Sequence, residues 1–334
     1  MRLIPSADLS KCSIDDSSRK IEGEFASLLA LWEAKNSVVP RPRAWGSYST
    51  SHKTSVSTDK LSAQTSCRPR QAVGPDKLSA QTSCQTGRAV SRVELSTVVQ
   101  SSMKTPTTET KSNMPRVYFL LLDFVDNIND LPDASVFGAN LAAIHSQTKS
   151  PTGKFGFHTE NCHVKFPQFV EWHESWTVFF TKLLQGVFDI ELQVHGRQDN
   201  SDEYVKEFEK LITSTIPQLL DHLNVKPCLV HGNLSRENIA TNLATGEPVV
   251  FGPSALYAHN EYELGMWRRK LGRLGREFFK EYHKHYPIDE PLDQWDDRAL
   301  LYSIKFNLAY SISVPDSGHI REQYVTPTSA SSSC

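Results

Sequence analysis

The residues with the most chemical content lie close together in the sequence. They are His231-Gly232-Asn233-Leu234-Ser235-Arg236-Glu237-Asn238, then a Thr245-Gly246 turn, then Val249-Val250-Phe251-Gly252. A His-x-Asp-x-x-x-x-Asn run, a short hairpin and a second Asp form an arrangement for phosphoryl transfer. The first Asp orients the acceptor hydroxyl and takes its proton, while the Asn and the second Asp hold Mg²⁺. Both aspartates are replaced here, the first by Asn233 and the second by Gly252. An amide oxygen still accepts a hydrogen bond but takes no proton at neutral pH, and losing a general base typically costs about 10² to 10⁴ in rate. A carboxylate near 4 Å from Mg²⁺ contributes about 4 kcal/mol per unit charge even at an effective dielectric of ~20, and glycine supplies nothing in return. Asn238 remains as a neutral oxygen ligand, whereas Mg²⁺ usually takes one or two carboxylates beside its phosphates. Glu237 and Glu247 are near in sequence, but either would need a different backbone path to serve.

The elements that must position this stretch follow from apolar periodicity. From Ser18 to about Lys35, Ile21, Phe25, Leu28, Leu29 and Trp32 recur at helical spacing, and Pro40 and Pro42 close the element. Residues 44–48 and 117–125 read as strands, the second a near-continuous apolar run suited to burial on both faces. Phe137, Leu141, Ile144 and His145 mark a helix from 135 to 148, capped by Asp133 or Ser135, with His145 a packed structural histidine. The Ser150–Gly153 turn leads into Lys154-Phe-Gly-Phe-His158. Trp172, Trp176, Phe179, Phe180, Leu183 and Leu184 predict one helix; Tyr204, Phe208, Leu211, Ile212 and Leu219 predict the next, which Pro217 bends or interrupts. A last helix, about 296–313, directs Leu300, Leu301, Ile304, Leu308 and Ile312 inward. His283 and His285 stand two apart, so on a helix they cannot chelate one ion, and 282–286 reads as a solvated helix end.

With these surroundings the chain resembles the fructosamine kinase family, the ketosamine and protein-ribulosamine 3-kinases. The resemblance is carried by Leu229-Val-His-Gly-Asn233, Gly246-Glu-Pro-Val-Val-Phe-Gly-Pro253, Tyr257-Ala-His-Asn-Glu-Tyr-Glu-Leu-Gly265 and Gly153-Lys-Phe-Gly-Phe-His158, with a weaker match at Glu22-Gly-Glu-Phe25. It covers roughly residues 17–48 and 115–323. It implies an α+β, two-lobed protein-kinase-like fold with a truncated small N-terminal lobe and a mainly helical C-terminal lobe. The expected organisation is an irregular N-terminus (1–16), a remnant small lobe and hinge (17–48 and 115–126), an inserted segment (49–114), a helical lobe (127–323) and a flexible tail (324–334).

The resemblance also distributes roles. Asn233 and His231 fall at catalytic positions and Asn238 and Gly252 at metal positions, while Glu24 and Asp123 fall on the nucleotide side as cofactor-binding residues. It implies ATP and Mg²⁺ as cofactors, bound weakly or not at all given the substitutions. No glycine-rich hairpin or lysine strand precedes the first helix; Lys11 and Lys20 are the only lysines available there, and both read as solvated surface residues. Ser235 stands where the family has a tryptophan, so an aromatic face for the acceptor sugar is absent. The implied acceptor is a ketoamine-modified protein or a small amine.

Composition bounds the remaining classes. The chain has 334 residues, 39% hydrophobic and 22% charged, with net charge −2, the balance of a globular chain with a sizeable core and no basic footprint for nucleic acid. No run reaches the length of a membrane span, which together with scattered cysteines (12, 67, 84, 162, 228 and 334) read as reduced thiols predicts a cytoplasmic protein. Residues 49–114 contain no Phe, Tyr or Trp and carry a direct repeat, Asp59–Cys67 and Asp76–Cys84. Such a segment buries too little apolar surface to order itself and is a candidate docking tract for a protein partner. Three readings follow: an impaired family member surviving as a scaffold, a working ketoamine kinase with an unusual metal shell, and an interaction protein acting through 49–114.

Overall fold

A computed structural model describes residues 14–49, 116–196, 201–268 and 274–314. The inserted segment 50–114, Lys11 and the tail 324–334 lie outside the described residues. The chain divides into two units, and of the one formed by 49–116 only the strand residues Ser49 and Arg116 are described.

The other unit opens with α1 (Ile14–Ala34), which starts inside the stretch expected to be irregular. β1 (Pro42–Ser49) and β2 (Arg116–Leu122) then pair in a two-stranded sheet, so the two predicted strands are neighbours although far apart in sequence. β3 (Asn127–Ile128) leads to α2 (Ala134–Gln147), whose cap is Asp133, accepting from the N–H groups of Ser135 and Val136. The short pair β4 (Cys162–His163) and β5 (Phe166–Pro167) packs against α1.

α3 (Trp176–His195) starts four residues later than the aromatic pattern suggested. Ser175 caps it, and Trp172 lies outside, its ring 6.0 Å from that of Tyr257. α4 (Ser201–Lys210) runs through one π-helical turn, Leu211–Thr215, into α5 (Ile216–Leu220). The expected interruption at Pro217 is thus met by widening the turn before it, since proline in the first turn of α5 has no helical partner to lose.

β6 (Cys228–Val230) pairs antiparallel with β9 (Leu256–Ala258). Between them β7 (Ile239–Asn242) and β8 (Pro248–Val250) form the predicted hairpin about Gly246, extended by β3 into a three-stranded sheet. α6 (Asn260–Gly265), α7 (Arg276–His283) and α8 (Trp295–Ser313) complete the unit. The core runs from α3 and α8 through α6 to α2 and α7. Two expectations fail here. Tyr282 is fully buried rather than at a solvated helix end, and Leu300 faces solvent at 40% exposure while Arg298 and Lys305 point inward.

Candidate functional site

The β6–β9 ladder delivers His231 directly into the core, where it is 2% exposed. Glu263 of α6, fully buried, grips the loop there: its carboxylate accepts from the backbone N–H of His231 and, at 3.0 Å, from that of Gly232. Nδ1 of His231 accepts from the Asn233 N–H at 3.2 Å, so Nε2 carries the hydrogen and donates to the Phe251 carbonyl at 3.1 Å. Burial pushes the imidazole down to about 4, outweighing the opposing charge of Glu263. A neutral ring pinned to backbone on both edges joins the loop to the end of the hairpin.

The two substituted positions meet. Asn233 Nδ2 donates to the Gly252 carbonyl at 2.9 Å, and Asn238 Nδ2 donates to the Asn233 carbonyl at 2.7 Å. The Phe251 N–H closes the circuit on the Asn238 carbonyl at 3.0 Å. Gly252 has φ +59, and a Cβ placed there would stand 3.5 Å from Asn238 Oδ1. The spacing-predicted residues His231, Asn233, Asn238 and Gly252 are therefore brought together.

Mg²⁺ does not fit this donor set. Among the described residues the side-chain oxygen nearest position 252 is the neutral Asn238 amide, Asn233 turns its N–H to the Gly252 carbonyl, and neither position supplies a carboxylate. The nucleotide-side residues have other partners. Both carboxylate oxygens of Asp123 are taken by Arg43, at 2.7 and 2.6 Å, and the guanidinium holds this carboxyl below its ordinary range. Glu24 is pushed up by burial, and the nearby cation opposing that is Lys20, one turn earlier on the same helix.

α1 is nevertheless fixed beside the site. A Cβ at Gly23 would lie 2.5 Å from Asn161 Cα and 2.6 Å from the Glu160 carbonyl oxygen, so only glycine permits this approach. One turn on, Ser27 Oγ donates to the Gly23 carbonyl and accepts the Ala255 N–H at 3.1 Å. Asn161 donates to the Ala255 carbonyl, and Gln168 donates to Asn161 Oδ1 at 2.7 Å and to the Ser254 carbonyl at 3.1 Å. Lys305 of α8 ends this chain, donating to Gln168 Oε1 at 3.4 Å. Burial holds its amine far below the usual lysine range, with the charge of Glu263 opposing.

A third cluster faces away from the loop. His259, Glu261 and Asp289 offer ligand atoms within 4.8 Å of one another. Arg298 supplies the cation: it is bidentate to Glu261 at 2.7 and 2.9 Å and donates to the Asp289 and Pro291 carbonyls. Burial pushes the Asp289 carboxyl up, but the hydrogen bond from His259 and the neighbouring charges hold it below its ordinary range. Glu261 and Glu263, two apart on α6, thus serve opposite faces of the helix. Glu263, Ser27, Gln168 and Lys305 carry no sequence signal of role; Glu263 lies within a quoted motif line, but only the fold shows what it holds.

Comparison with known proteins agrees with this geometry. The chain is 34% identical over 185 residues to the chloroplastic protein-ribulosamine 3-kinase of Oryza sativa subsp. japonica, covering 55% of this chain and 52% of that protein. It is 29% identical over 135 residues to the ketosamine-3-kinase of Mus musculus, covering 40% and 41% respectively. The chain spans about half the length of the curated relatives it matches. A crystal structure of a protein from Haemophilus somnus 129PT assigned as a fructosamine-3-kinase superposes with a TM-score of 0.50 at 21% identity. That superposition covers 64% of this chain and 70% of that one, which establishes the mixed helix and strand kinase-like fold. No helix among the described residues is long and apolar enough to cross a membrane. The fructosamine kinase family model matches residues 76–316, more than half of the sequence, and the chain belongs to that family.

Proposed function

We propose that this chain is a fructosamine kinase family member whose loop no longer transfers phosphate from ATP and which acts as a kinase-like scaffold. One observation carries the reading: the Asn233 amide donates to the Gly252 carbonyl at 2.9 Å. The two positions that need carboxylates for transfer hold an amide and a hydrogen atom, and these two residues bond to each other. An aspartate at 233 could not make this bond, because its carboxylate has no hydrogen to give. The ancestral acceptors under this reading are ketoamines such as fructosamine or ribulosamine on protein lysines or small amines; the relatives' names specify protein-ribulosamine and ketosamine. The setting is cytoplasmic, and ATP and Mg²⁺ bind weakly or not at all. An interaction role for residues 49–114 lies outside the described residues.

The test is calorimetric titration with MgATP, paired with transfer of labelled phosphate to a ribulosamine-lysine peptide. Neither binding heat nor labelled product is expected. Micromolar MgATP binding with turnover would overturn the reading and favour an active enzyme with an unusual metal shell.

A further inference from the structure

Glu263 fixes the start of the loop, so whatever orients Glu263 orients the loop. His145 of α2, 2% exposed, stands against it: His145 Nε2 lies 3.9 Å from Glu263 Oε2, with both side chains fully buried. That nitrogen has no hydrogen-bond partner, since 3.9 Å is too long for one. The other ring nitrogen, Nδ1, is 2.8 Å from the Tyr282 hydroxyl. Asn260 Nδ2 donates to that hydroxyl oxygen at 3.0 Å, and a phenol hydrogen given to His145 Nδ1 then satisfies both groups. Tyr282 keeps this hydrogen, because burial raises its hydroxyl well above the ordinary tyrosine range. With Nδ1 acting as acceptor, the ring hydrogen sits on Nε2, the nitrogen that faces the Glu263 carboxylate at 3.9 Å.

We propose that His145 is a positioning residue for the 231–238 loop: Asn260 and Tyr282 set its tautomer, and its Nε2–H dipole holds the Glu263 carboxylate in the pose that grips the His231 and Gly232 amides. The apolar surroundings make this dipole effective, because few polar groups screen a buried charge. Lys305 of α8 faces the same carboxylate at longer range, the charge of Glu263 opposing the burial that holds its amine low. The arrangement unites four elements, α2, α6, α7 and the loop, at a carboxylate that touches no solvent. It does not depend on whether the loop transfers phosphate, because its readouts are spectroscopic.

The test is nuclear magnetic resonance on the full chain with labelled histidine and backbone amides. The unmodified protein should show His145 as the Nε2–H tautomer and a strongly downfield, exchange-protected Gly232 amide. Tyr282→Phe removes only the hydroxyl that sets the tautomer. It should shift the His145 ring signals and reduce protection of the His231 and Gly232 amides at least tenfold relative to amides of α3. His145→Gln, which can both accept and donate, should restore part of that protection, whereas His145→Leu should not. An Nδ1–H tautomer in the unmodified chain would overturn the proposal. So would unchanged Gly232 protection in both Tyr282→Phe and His145→Leu, with melting temperatures showing that the variants fold.

Discussion

At the scale of single residues, the site is held by groups whose protonation is fixed by burial. His231 accepts on Nδ1 and donates on Nε2, and burial pushes it down to about 4 from an ordinary value of 6.5. The folded state thus resists a proton that the unfolded chain accepts. Between the ordinary value and about 4 the unfolded state binds more protons, so stability falls as pH falls through this window and levels off below it. The expected slope from this one group is up to about 1.4 kcal/mol per pH unit. Denaturant unfolding at a series of pH values should show that slope in the unmodified chain and its loss in His231→Gln. Equal slopes would mean that the ring is charged in the fold. The spacing from His231 to Asn238 and Gly252 was legible in the sequence because the loop is local, and hairpin geometry brings its ends together. Glu263 was not legible as the group that holds the loop, because nothing local distinguishes a carboxylate gripping backbone from one facing a cation.

At the scale of elements, periodicity located helices well wherever one face is wet. α1 and α2 follow their apolar stripes within a few residues, since side chains three and four apart share a face. α8 defeated the same reasoning: nearly every face is covered, and Arg298 and Lys305 are buried because Glu261 and Gln168 receive them. A pattern counts charges as exposed, and the partners that reverse this lie far away in sequence. Close approach is equally invisible. Gly23 and Gly186 both sit inside helices, yet a Cβ at Gly23 meets backbone at 2.5 Å while one at Gly186 meets nothing within 4 Å. Gly23→Ala should therefore destabilise by about 1–3 kcal/mol, the usual cost of overpacking, by pushing α1 off Asn161. Gly186→Ala should stabilise by roughly 0.5–1 kcal/mol through helix propensity alone. Chemical denaturation of the two variants side by side checks both signs. A neutral Gly23→Ala would show that α1 is not held at the distance the structure gives.

At the scale of the whole molecule, the proposed loss of transfer is tested by repairing its local parts. Asn233→Asp alone removes the donor to Gly252 and sets a carboxylate oxygen where the amide nitrogen stood, 2.9 Å from the Gly252 carbonyl oxygen. Leaving that pairing unmade costs about 1–3 kcal/mol. Gly252→Asp puts a Cβ in ordinary contact, 3.5 Å from Asn238 Oδ1, on a strained backbone at φ +59 that aspartate tolerates better than most side chains. Together the two changes place two carboxylates beside the Asn238 amide oxygen, a donor set suited to a hard cation. Mg²⁺ should then raise the melting temperature of the double variant while leaving the unmodified chain and each single variant unmoved. Transfer should not return with it. Asp123 is committed to Arg43, and the cation opposing Glu24's burial is Lys20 on its own helix. Groups that act as a unit recover little when only part is restored. The double variant is thus expected to bind metal without passing labelled phosphate from ATP to a fructosamine or ribulosamine acceptor. Transfer well above that of the unmodified chain would mean that the phosphate-holding groups are already in place, and that Asn233 and Gly252 are the whole of the deficit.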